Sequence, residues 1–180
     1  MIKKIVWPVF FVLFLILIPP TFYSLDYSQT IDINQEKVVY NLAYPGLLPD
    51  HPLYLLKIIR DRILELTTRD NLRKAELYLL LSDKRVSMAY SLAKKGKNKL
   101  AITTLSKGEK YFYKIPDLIA NAKKQGVSPG LDLTTNLKLS NKKHREVIDD
   151  LQKELPQGQT EGLSEVLRLN QEIKKMIEKY

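Results

Sequence analysis

Few side chains in this sequence are equipped for chemistry. There are two histidines, His51 and His144, and no cysteine, so disulfides, a thiol nucleophile, thiolate metal sites and an acylated lipoprotein cysteine are all excluded. His144 falls on an apolar stripe between Leu137 and Val147, where a histidine more often serves as a hydrogen-bonded core or boundary residue than as a base or ligand. His51 stands between Asp50 and Pro52 and reads as a turn residue beside a helix cap. Asp149 and Asp150 are adjacent on one helix and point in different directions, which does not suit a paired acid and base. Met88 and Met176 are isolated and form no copper-binding cluster. No phosphate loop, nucleophile elbow, or zinc or calcium loop is present. No catalytic residue, metal ligand or cofactor is therefore expected; an enzyme would have to assemble its site from scattered carboxylates.

One constellation does invite a ligand. The formal charge is +9, and the excess is local: Lys84, Arg85, Lys94, Lys95, Lys97, Lys99, Lys107, Lys110, Lys114, Lys123 and Lys124 face only Glu109 and Asp117. The segments on either side are balanced. With Tyr111, Phe112 and Tyr113 nearby, such a patch could serve a polyanion, and Lys94, Lys95, Lys97, Lys99, Lys107, Lys110 and Lys114 are the candidate contacts. The competing reading is a solvated face whose aromatics are core.

The chain's beginning decides which polyanion. Lys3 and Lys4 precede an uncharged run, residues 5–25, with the next charge at Asp26. Residues 1–25 read as a signal anchor, the alternative being a cleaved signal peptide; Pro19 to Leu25 offers bulky aromatics in place of small cleavage-site residues. The lysine pair places the N-terminus in the cytoplasm and the remainder outside. Nucleic acid then lies in the wrong compartment, and the expected partners are the membrane through residues 5–25, anionic lipid or wall polymer at the basic patch, and an unidentified protein.

The elements that must position these residues are helices. Residues 26–43 read as an extended tether and residues 44–180 as one domain, large enough for a single helical core. Pro45-Gly46 marks a turn, Asp50 is expected to cap the first helix and Pro52 to open it. Leu56, Ile59, Ile63 and Leu66, widened by Leu55 and Ile58, form the stripe expected to face the core. Asp70 or Thr68 caps a second helix, where Leu72, Leu79, Val86 and Ala93 recur every seventh residue beside a small-residue row of Ala75, Ser82 and Ala89. Gly96 ends it, and Asn98 is expected to cap a third helix that Pro116 kinks or splits. A fourth helix is predicted over about Asp132 to Glu154 and a last one from Thr160. The fold class is all-α, a bundle of about five helices with an antiparallel central hairpin, preceded by an N-terminal membrane segment.

The helix entrance, Leu48-Pro49-Asp50-His51-Pro52-Leu53-Tyr54-Leu55-Leu56-Lys57, resembles the opening of an uncharacterised family of bacterial and archaeal extracytoplasmic helical domains, a domain of unknown function. The resemblance continues through Leu66-Thr67-Thr68, Lys74-Ala75-Glu76-Leu77, His144-Arg145-Glu146-Val147 and Leu155-Pro156, and covers most of residues 44–180. That family often carries an acidic residue and a proline after its first helix, where this chain reads Arg69-Asp70-Asn71. The resemblance implies a helical domain outside the membrane and no activity. The expected function is a non-enzymatic, membrane-anchored interaction or structural module.

Overall fold

The computed structural model describes residues 38–180 except 157, 159 and 161. The expected anchor or signal segment, residues 1–25, and the expected tether up to residue 37 lie outside the described residues. Among the described residues the chain forms α1 (Tyr54–Thr67), α2 (Asn71–Lys94), α3 (Asn98–Phe112), α4 (Ile115–Lys124), α5 (Leu131–Glu154) and α6 (Leu163–Ile177), with no strand. The all-α class is as expected. The break at Pro116, which sits in the first turn of α4 where its missing amide costs nothing, turns the predicted third helix into α3 and α4. Among the described residues no helix is long and apolar enough to cross a membrane.

The central hairpin is built by the small residues. Ser82 Oγ donates to Gly108 O at 2.9 Å, and a Cβ at Gly108 would lie 3.2 Å from Arg85 Cβ and 3.3 Å from Ser82 O, so α2 and α3 approach almost backbone to backbone. Their turn closes with Gly96 at φ 72, Gly96 N donating to Ala93 O and Lys97 N to Leu92 O, the paired bonds of a Schellman end. Asp70 Oδ1 accepts from Arg73 N at 2.8 Å and caps α2 as expected. Asn98 is already the first residue of α3, and the cap position falls to Lys97, which makes no side-chain cap bond. The last helix begins at Leu163, three residues later than Thr160.

The core has two apolar halves. One gathers Leu79 of α2, Phe112 of α3, Ile119 of α4, Leu137 of α5 and Ile173 of α6; the other gathers Val86 and Ala89 of α2, Leu105 of α3, Ile148 and Leu151 of α5 and Val166 of α6. Reading each helix through the halves gives the topology: α2 and α5 run one way, α3 and α6 the other. Between the halves each of these four helices contributes a buried polar residue: Asp83, Glu109, His144 and Asn170. Asn141 and Asn170 each donate to the other's carbonyl, at 3.1 and 3.2 Å, and so pin α5 to α6.

α1 departs from expectation. Its stripe of Leu56, Ile59, Ile63 and Leu66 faces outward, with Leu56 64% and Leu66 66% exposed, whereas Lys57, Asp61 and Glu65 are buried against the body at 9%, 5% and 6%. Periodicity identifies the apolar side of a helix; which side meets the body depends on what the body presents. Here the inward side of α1 meets the Lys114 amine, the Tyr78 hydroxyl and the carbonyls of the entrance turn, and α1 makes none of the close helix packings. Asp50 does not cap α1 either. The cap position is Leu53, whose amide donates to His51 Nδ1 at 3.1 Å, while Asp50 turns away to Lys97.

Candidate functional site

Three groups of side chains could carry function: the buried polar layer, the basic residues, and α1 with its mount.

The polar layer is centred on His144, which is fully buried. Its Nδ1–H donates to Glu109 Oε1 at 2.8 Å and its Nε2–H to Asp83 Oδ1 at 2.9 Å. Burial alone would lower the imidazole's pKa, but the Glu109 charge and the hydrogen bonds to both carboxylates outweigh it and raise it to about 9. The ring is thus an imidazolium at neutral pH. Asp83 is further held by Ser140 Oγ and Tyr40 OH, each donating at 2.6 Å, and the Phe112 edge meets the imidazole with centroids 5.3 Å apart. Glu109 Oε2 has no hydrogen-bond partner among the described residues. With both ring nitrogens donating and no exposed surface, His144 has neither a lone pair to accept a proton nor a path to a substrate. The arrangement ties α2, α3, α5 and the entering chain together, as a core histidine does. Among the described residues no group of three or more His, Asp or Glu side chains is arranged to hold a metal.

The candidate lysines do not form one patch. Lys94 pairs with Glu154 at 3.0 Å, and Lys97 and Lys95 share Asp50 at 2.8 and 3.4 Å. The Lys97 hydrogen bond holds the Asp50 carboxyl below the usual carboxylate range. Lys114 lies at the far end of α3, about 20 Å along the axis, over the Tyr78 and Tyr111 rings and 4.0 Å from Glu65. Arg85 is buried, with its guanidinium 4.3 Å from the Tyr111 ring centre. Lys99, Lys107 and Lys110 lie exposed on the outer stripe of α3, and among the described residues none has a side-chain hydrogen bond or ion pair.

The α1 mount is polar throughout. Lys57 Nζ donates to Pro45 O at 2.7 Å and Leu47 O at 3.3 Å, closing the entrance turn. Burial pulls the Lys57 amine down to about 8, against the Asp61 charge, which supports it. Glu65 accepts from Tyr78 OH at 2.7 Å and from Arg62 at 2.9 Å, and Asp61 accepts from Arg60 at 2.7 Å. The entering chain is pinned on the same side, with Tyr40 on Asp83 and Ser87 Oγ donating to Ala43 O at 2.8 Å. The part of the expected tether beyond residue 37 therefore packs on the bundle. Opposite the mount, Leu55, Leu56, Ile59, Ile63 and Leu66 occupy a sector about 100° wide that nothing in the described residues covers. Sequence reasoning missed both this face and the partners of His144. The available signals were Lys57, Asp61 and Glu65 at intervals of four, and Asp83 and Glu109 inside apolar stripes.

In comparison with known proteins, residues 46–158 fit the family model described as a domain of unknown function (DUF5667). No curated protein and no solved structure matches the chain.

Proposed function

The chain belongs to the DUF5667 family, a domain of unknown function, and from that premise we propose that it is a non-enzymatic interaction module, held outside a membrane by its N-terminal apolar run. The observation that carries this reading is α1. A helix mounted through Lys57, Asp61 and Glu65 leaves its aliphatic face uncovered among the described residues, and a contiguous exposed apolar face marks a binding surface. The groups best suited to proton transfer, around His144, are committed to one another inside the bundle.

A second reading, polyanion binding by the basic hairpin, is favoured by the exposed Lys99, Lys107 and Lys110; it requires retention on wall polymer that falls steeply with salt.

The chain has no cysteine, so single cysteines report on single sites. Spheroplasts carrying Lys124→Cys are expected to react with a membrane-impermeant maleimide without lysis. Ile63→Cys is expected to react much more slowly than Lys124→Cys in the intact envelope. Labelling of Lys124→Cys only after lysis would overturn the location, and equal rates at the two sites would overturn the interaction role.

A further inference from the structure

We infer that the occupant of the outward face of α1 is an anionic phospholipid surface, on which the helix lies flat with its aliphatic stripe at the boundary of headgroups and acyl chains. This rests on the interaction role proposed above and names the partner's chemistry.

Three observations select lipid. The stripe of Leu55, Leu56, Ile59, Ile63 and Leu66 is wholly aliphatic and lies opposite the mount, so the helix can be buried along its length, about 21 Å, without the body colliding with a flat surface. The charges around the stripe are sorted. Arg60 and Arg62 flank it on its two sides, whereas Asp61 and Glu65 are turned inward against the body. Each arginine is paired with one of those acids, Arg60 with Asp61 at 2.7 Å and Arg62 with Glu65 at 2.9 Å, so the charge of the rim is offset from behind, and Arg62, whose side chain is 63% exposed, is the group placed to meet phosphate headgroups. Finally, the entering chain is pinned to the bundle from Tyr40 onward by Asp83, Ser87 and Lys57. Only 26–37 then separate the end of the apolar run from the described residues, a reach of about 40 Å at full extension. In an anchored chain that contour bounds the distance from the apolar run to residue 38, which keeps the domain near the bilayer and raises the effective concentration of lipid at its surface.

The test uses the full-length chain, reconstituted through its N-terminal run into vesicles containing phosphatidylglycerol. An environment-sensitive fluorophore is placed on Ile63→Cys, or on Lys124→Cys as reference. The expected result is blue-shifted emission at position 63 that loses most of its intensity when the lipids carry brominated acyl chains, and that reverts toward the aqueous spectrum when phosphatidylcholine replaces the anionic lipid. Position 124 stays aqueous in both. If position 63 is shielded from iodide present on both faces of the membrane yet is not quenched by brominated chains, the lipid assignment is overturned while the interaction role stands, with a second copy of this chain as occupant. If iodide quenches positions 63 and 124 alike, the lipid assignment is overturned, and the labelling rates in the intact envelope decide the interaction role.

Discussion

His144 shows how far one residue's role can be read from sequence. Its place on the α5 stripe marked it as a core or boundary histidine, and it is one; its partners Asp83 and Glu109 come from α2 and α3 and are joined to it only by the bundle. They are the titratable groups that face it, with Ser140 and Tyr40 completing the shell around Asp83 and the Phe112 edge beside the ring. Because its folded pKa of about 9 exceeds the ordinary 6.5, the stabilisation is full below pH 6.5 and lost as pH rises through 9. The total change is about 3 kcal/mol. Lys57 works in the opposite sense. Its amine is lowered from 10.5 to about 8, so folding gains stability above pH 8 as the unfolded chain alone holds that proton. The window from pH 6.5 to 8 therefore isolates His144. Denaturant midpoints should fall across it in the native protein and stay level in His144→Gln; a level native profile would remove the imidazolium from the account.

At the scale of the elements, α2 to α6 were legible because each must bury its apolar stripe, and stripe and body agree. The hairpin was legible from its small residues, and Gly108 is the position to challenge. A Cβ there meets the Arg85 Cβ and a backbone carbonyl that cannot rotate aside. Gly108→Leu should destabilise by about 3 kcal/mol through overpacking, while Gly108→Ala stays closer to native, since crowding opposes a gain in helix propensity of about 1 kcal/mol. Chemical denaturation of residues 32–180, which form one compact unit, would check both. If Gly108→Leu melts with the native protein, the close approach of α2 and α3 is wrong. The entrance was only partly legible. Asp50 had the residue type of a cap, but Lys95 and Lys97 at the α2–α3 turn offered it charge, and the neighbouring His51 took the Leu53 amide.

For the molecule as a whole, the net charge suggested a basic hairpin as the contact surface, yet folding gives three of its turn lysines carboxylate partners at Asp50 and Glu154. Among the described residues folding leaves the apolar face of α1 open. Its direction could not be read from periodicity, because a helix with one apolar and one polar side fits either an apolar core or a polar mount facing an apolar partner. The central claim is that this face contributes nothing to the fold. It is tested most directly by Ile59→Gln together with Ile63→Gln in residues 32–180, measured by urea denaturation in lipid-free buffer. The account predicts a free energy of unfolding within about 0.5 kcal/mol of the native value, as for surface substitutions. A loss of about 2 to 4 kcal/mol, the scale for large apolar side chains removed from a core, would mean that the stripe packs inward and would contradict it.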